Sequence, residues 1–197
     1  TEAVESFGRP RRTEIVHPDD LPVFDSVTTT EDVDDEPCVV TLSTSGQIGR
    51  SPVDGARRAT PGRHDVLVTS LLTRTTATVT AVTSDGRALQ VAAAELADGA
   101  GRARGAGAAQ AFGTNRGEVI HTVVAEGDEH LLVVTANGVA KRLTQDEVRA
   151  TKSGKPLLKL RPGDRVVAAF TAHDGVDLVI VASDGQALRT PVDAVSV

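Results

Sequence analysis

At 197 residues the chain has room for one large or two small domains, and its 40% hydrophobic content is enough for a sizeable core. Only four residues are aromatic (Phe7, Phe24, Phe112, Phe170), and Trp, Tyr and Met are absent, so the core must be built from Val, Leu, Ile and Ala, a composition that favours strands. The net charge of −6 is uneven: residues 1–36 hold 3 Arg against 11 Asp and Glu (−8), residues 37–197 hold 18 Lys and Arg against 16 Asp and Glu (+2). Cys38 stands alone, which excludes an internal disulfide and fits a reducing compartment, and there is neither a membrane-length apolar run nor a signal-peptide pattern.

In chain order, Thr1–Phe7 reads as the end of a helix stopped by Gly8 and Pro10. A chain that opens on Thr1 without any Met is expected of a piece of a longer protein. Residues 17–37 combine Pro18, Pro22 and Pro37 with eight acidic residues and read as an acidic tether rather than a folded unit. Its Asp32–Glu36 cluster lacks the glycine-bearing spacing of a calcium loop, so no metal is expected there.

From Pro37 on, one pattern occurs four times: CVVTLSTSGQIGRSPVDGA, VTAVTSDGRALQVAAAELA, LLVVTANGVAKRLTQDEV and LVIVASDGQALRTPVDAV. The turn glycines are Gly46, Gly86, Gly138 and Gly185, spaced by 40, 52 and 47 residues, a period typical of propeller-like repeats. Ser-Gly, Asp-Gly and Asn-Gly pairs supply the positive φ of a tight hairpin turn. An apolar residue stands four positions before each glycine (Leu42, Val82, Val134, Val181), and another two after it (Ile48, Ala88, Ala140, Ala187). Four positions after it stand Arg50, Gln90, Arg142 and Arg189, which hairpin geometry leaves unexplained.

Strand-like runs at Asp65–Leu72, Val119–Val124 and Arg165–Thr171 lead into the later hairpins, and Thr75–Thr83 is another, giving about four short strands per unit. No helix is expected after residue 36, and the last unit reads as incomplete at the C-terminus. One repeat cannot bury its own hydrophobic face, so the units must stack.

Catalytic signatures are missing. Gly154-Lys155 is followed by Pro156 and lacks a phosphate loop's upstream glycine, and the glycines around 99–107 miss a dinucleotide fingerprint. The five histidines have no metal-ligand spacing, and no nucleophile has its usual surroundings. What recurs is basic: each of the first three hairpins is followed by a cationic, glycine-containing loop. These carry Arg57, Arg58 and Arg63, then Arg102 and Arg104, then Arg149, Lys152 and Lys155. Residues 141–165 hold 8 basic and 3 acidic residues. Equivalent positions of a radial repeat fall on one rim, so these loops would form a curved basic track suited to duplex phosphates. Ordinary solvated surface is the alternative origin of the charge, and a propeller-type protein-interaction module with a basic rim is the alternative function.

With its acidic tether, the stretch Phe7-Gly8-x-x-Arg11-Arg12-Thr13-Glu14-Ile15, then VTLSTSGQIGRSPVDGA, ATKSGKPLLKLRPGDRVV and DLVIVASDGQALRTPV resemble the A subunit of bacterial type IIA topoisomerases, gyrase or topoisomerase IV. The resemblance implies the end of a coiled-coil arm and a linker over residues 1–36. Over 37–197 it implies a non-catalytic C-terminal domain: an all-β β-pinwheel of four-stranded blades, about four by the repeat count, that binds and bends double-stranded DNA. It implies a cytoplasmic, nucleoid-associated, ATP-dependent holoenzyme with a B subunit as partner, and no cofactor in this portion. The enzyme's catalytic tyrosine has no counterpart in a chain without Tyr. DNA-facing residues on this reading are Arg50, Arg57, Arg58, Arg63, Arg102, Arg104, Lys141, Arg142, Arg149, Lys152, Lys155 and Arg189. The Gln-Arg-Arg-Gly-Gly box of gyrases is degenerate, because Ala56-Arg57-Arg58-Ala59-Thr60-Pro61-Gly62-Arg63 stands in its place.

Overall fold

The structure, a computed structural model, describes residues 33–56, 64–98, 106–125, 127 and 129–196. The four hairpins form as their turns dictate. β1 (Pro37–Ser43) pairs with β2 (Gln47–Pro52), β4 (Thr78–Thr83) with β5 (Ala88–Ala92), β8 (His130–Thr135) with β9 (Ala140–Leu143), and β11 (Asp177–Val181) with β12 (Ala187–Pro191). Their turn glycines sit at φ +72°, +71°, +77° and +85°, the left-handed region that a side chain disfavours.

Each of the first three hairpins is clasped by the unit that follows it. The strand leading into the next hairpin pairs antiparallel with the first strand of the present one: β3 (Leu67–Arg74) with β1, β7 (Ile120–Val124) with β4, and β10 (Val166–Ala172) with β8. All three pairings shift register at one place, opposite Leu42/Ser43, Val82/Thr83 and Val134/Thr135, so the bulge is part of the repeat. Chain from after the next hairpin then runs along the second strand. β6 (Ala106–Gly107) pairs with Gln47–Ile48 of β2, and residues 153–157 accompany β5.

The sheets have four (β3-β1-β2-β6), three (β5-β4-β7), three (β10-β8-β9) and two (β11-β12) strands among the described residues. Four strands per unit is therefore met as regular strand in the first sheet alone, and elsewhere the outer positions are irregular chain or lie outside the described residues.

Among the described residues, three successive cores lie between successive sheets. Val40, Leu42 and Ile48 meet Val79, Ala81 and Leu89; Val82, Ala88 and Val124 meet Leu131, Val133 and Leu143; Leu132 meets Leu178, Val192 and Val195. This accounts for the unbroken apolar run in β8. Leu131 and Val133 face one neighbour and Leu132 the other, so period-two alternation is replaced by burial on both faces. In β11 only one face is covered: Leu178 is buried, while Val179 is 60% and Val181 69% exposed.

Short helices occur after residue 36, contrary to the expectation from sequence: α1 (Val53–Ala56), α2 (Ala108–Phe112) and α3 (Gln145–Ala150). α3 opens with a complete capping box. The Thr144 hydroxyl accepts from the Glu147 N–H and the Glu147 carboxylate from the Thr144 N–H, which satisfies two otherwise orphaned donors. At four to six residues these helices are too short to show a helical apolar period.

Candidate functional site

The repeat builds its hairpin turns from a hydroxyl and an acid. Ser43, Thr83 and Thr135, all buried and three positions before the turn glycine, accept the N–H of the residue after it (Gln47, Arg87, Val139; 3.2–3.3 Å). The next residue donates its N–H to the carbonyl just ahead of the clasping strand: Thr44 to Val66, Ser84 to Val119, Ala136 to Arg165. Immediately before those carbonyls stands an acid in every case, Asp65, Glu118 or Asp164. Asp65 accepts from the Ser45 N–H and the Ser45 and Thr44 hydroxyls, and Asp164 from the Asn137 N–H. Glu118 accepts from Arg87 and from the Asn115 N–H.

All three carboxyls lie below their ordinary range. Hydrogen bonds from the Ser45 and Ser43 hydroxyls do this for Asp65. For Glu118 and Asp164, burial pushes upward and is outweighed by the donors, Arg87 and Thr83 in one case and Thr135, Arg165 and Asn137 in the other.

On the same scaffold the chain that follows each later hairpin falls at an equivalent sheet edge, and among the described residues one of these segments, 152–161, is cationic. The N–H groups of Arg50, Gln90 and Arg142, one position in three hairpins, each donate to chain that follows the next hairpin. The acceptors are Ala97 O (2.8 Å), Ser153 Oγ (2.9 Å) and Ser196 O (2.9 Å). The segment over residues 152–161 is tied down most fully. Ala88 N–H donates to Lys155 O, Gly154 N–H to Ala88 O and Leu157 N–H to Gly86 O, while Arg87 and Pro156 form a bridge. Leu157 and Leu158 are buried beneath it, and Lys152, Lys155, Lys159 and Arg161 are exposed, without an ion pair among the described residues.

The remaining candidate cations sit differently. Arg50 and Arg142 are half-buried on β2 and β9, each with its Nε shielded from solvent and unbonded. Arg142 reaches Asp174 at 3.2 Å and Asp193 at 3.9 Å, across to the fourth unit. Lys141 is half-buried on β9 opposite Val133, and Arg149 on α3 pairs with Asp146 at 3.3 Å. Arg189 is exposed and its Nε bonds Asp177 at 2.6 Å. Arg57, Arg58, Arg63, Arg102 and Arg104 lie outside the described residues. Sequence reasoning passed over Lys159, Arg161 and the exposed Arg116 and Arg165, although the charge excess of residues 141–165 signalled three of the four.

Where Gln90 replaces the recurring arginine, a notch of about 170 Å³ opens, lined by Thr78, Thr80, Gln90, Gln145, Val148 and Arg149 among others. Thr80 faces Gln90 as Leu132 faces Arg142, so the notch occupies the place that the Arg142 side chain fills one unit on.

Comparison with known proteins places this architecture. Residues 129–173 and 177–197 match the family described as DNA gyrase C-terminal domain, beta-propeller. The DNA gyrase A subunit of Staphylococcus aureus is 28% identical over 207 aligned residues covering 97% of this chain, and that of Mycolicibacterium smegmatis 27% over 95%. The chain is similar to DNA gyrase A subunits and, over residues 129–173 and 177–197, to their C-terminal domain. It spans 23% and 24% of the length of those two gyrase proteins. Two solved structures establish the fold of these relatives in this chain. The C-terminal domain of DNA topoisomerase IV superposes with TM-score 0.70 (24% identity; 84% of this chain, 55% of that one). The E. coli ParC C-terminal domain superposes with TM-score 0.62 (21% identity; 80% and 66%). The clasped hairpins are thus the blades of an all-β pinwheel.

Proposed function

We propose that this chain binds and bends duplex DNA through the cationic segments on its sheet edges, as the non-catalytic C-terminal part of an ATP-dependent type II topoisomerase A subunit. On this reading residues 37–197 are the DNA-binding domain, residues 1–36 an arm end and linker, and the whole enzyme works with a B subunit in the nucleoid-bearing cytoplasm. The observation that supports it is positional. Chain following each of the last three hairpins returns to the second strand of the preceding one, and residues 152–161, with four exposed cations, take one of these equivalent places. Exposed lysines and arginines along such an edge suit a polyanion, and they read phosphates rather than bases. Lys141, Arg149 and Arg189 would act at the margins of that surface, Arg50 and Arg142 mainly beneath it.

The test is fluorescence anisotropy of a labelled duplex against salt. Affinity should fall log-linearly with a slope of about −0.9 per phosphate contact, and four contacts from the 152–161 segment alone give a slope near −3.6. A flat response would sink the reading. In the holoenzyme, relaxed plasmid with ATP separates the branches. Introduced negative supercoils indicate gyrase activity, whereas relaxation or decatenation alone indicates topoisomerase IV activity.

A further inference from the structure

The cationic segment over residues 152–161 does not lie on a flat edge; it crosses the Asp85-Gly86 turn of the second hairpin. Gly86 donates its N–H to Thr83 O (2.9 Å) to close the turn and accepts from Leu157 N–H (2.8 Å) to hold the segment. A Cβ at position 86 would meet Leu158 Cδ2 at 3.0 Å and Leu160 Cδ1 at 3.4 Å. Gly46, Gly138 and Gly185 share the left-handed backbone, yet a Cβ on any of them would meet nothing within 4 Å. Of these four turns, then, Gly86 alone lacks a side chain for two independent reasons: backbone φ, and the leucines seated on it.

We propose that Gly86 is a positioning residue for nucleic-acid binding. Its bare Cα lets Leu158 and Leu160 seat on the turn, and this seating holds Lys152, Lys155, Lys159 and Arg161 as one preformed phosphate-binding row. The inference rests on the DNA-binding reading above. Leu157, Leu158 and Leu160 fall between Lys155, Lys159 and Arg161 in sequence, so apolar side chains turn inward while cations stay in water. Fixing the backbone lowers the ordering cost that a loose basic loop would incur on binding. Asp164 is the nearest acid in sequence to the row, and it is engaged by Asn137 and Arg165 N–H groups.

The experiment compares Gly86→Ala with Gly138→Ala in the full 197-residue chain, using duplex anisotropy at several salt concentrations. Both substitutions carry the same left-handed strain, and only the first meets the leucines. G86A should bind duplex about tenfold more weakly at 0.1 M salt, with a slope shallower by at least ~0.9, one phosphate contact. G138A should stay within about twofold of the unsubstituted chain on the same scale. Leu160→Ala, which frees the segment without touching the turn, should reproduce the shallower slope, and it serves if G86A fails to fold. Equal behaviour of G86A and G138A, or an unchanged slope in L160A, overturns the inference while the DNA-binding reading stands. Absence of duplex binding by the unsubstituted chain overturns both.

Discussion

The guanidinium of Arg87 spans both carboxylate oxygens of Glu118. Nε donates to Oε1 at 2.9 Å and Nη2 donates to Oε2, and the glutamate side chain is 1% exposed against 23% for the arginine. The pair joins the turn of the second hairpin to the loop that starts the strand clasping it, and the cationic segment passes over Arg87. It is the most buried instance of the acid staple that recurs at Asp65 and Asp164.

Breaking this pair by removing one partner leaves an uncompensated charge in a nearly closed site. Glu118→Ala is expected to cost about 3–5 kcal/mol. The double substitution Arg87→Met with Glu118→Leu should recover much of the loss, because no charge is then left buried. Urea midpoints of the three proteins measure this, and a loss under about 1 kcal/mol in E118A would show that water reaches the site.

Acid should unfold the domain through these staples. The folded-state values of Asp65, Glu118 and Asp164 are depressed, so their stabilisation is complete above the ordinary carboxylate range and is lost progressively as pH falls from that range through the depressed values. His121 acts in the same direction and earlier. Burial lowers its pKa from 6.5 against the hydrogen bond to Val166 O, so stability declines as pH falls below that value. Thermal melting from pH 8 to pH 3 should show a shallow decline below about 6.5 and a steep one below about 4.5. His121→Gln should remove the first without the second.

Gln90→Arg should stabilise the fold. It fills the 170 Å³ notch and brings a guanidinium toward Asp146, the residue one unit earlier than the Asp193 that Arg142 approaches at 3.9 Å. A gain of about 0.5 kcal/mol is expected, read from denaturant midpoints, because the acid is on the surface. A loss would mean that Arg149, which lines the notch, already occupies the space.

Seam and surface cations should separate cleanly. Arg142→Ala removes a side chain that is 17% exposed and engaged with two aspartates, and should cost about 1–2 kcal/mol of stability while leaving the salt slope of duplex binding unchanged. Lys152→Ala with Lys155→Ala should do the reverse: stability within about 0.5 kcal/mol and a slope shallower by up to ~1.8. The reverse pattern would put Arg142 in contact with DNA.

Local features were legible. Every turn glycine found by pattern has the positive φ expected of it, because a two-residue turn is decided by the residues in it. The capping box at Thr144 and Glu147 is also spelled in the sequence, yet a six-residue helix carries no period by which to find it. The recurring acid was illegible for a different reason. Asp65, Glu118 and Asp164 follow their turn glycines by 19, 32 and 26 residues, because loops of unequal length intervene, so alignment on the glycines scatters them. Only the pairing of β3, β7 and β10 with the preceding hairpins brings them to one place.

The sequence by itself determined four hairpins, a β-rich repeat and an excess of positive charge after them, since turn chemistry, branching and charge are properties of residues and their neighbours. Tertiary structure decided which cations meet solvent. Arg50 and Arg142 recur as conspicuously as any residue, yet clasping by the next unit draws them into the seams, while Lys152, Lys155, Lys159 and Arg161 are lifted into water by leucines packed over Gly86. Burial depends on what the following unit lays against a strand, and contacts across 24 to 63 residues of chain leave no mark in local spacing.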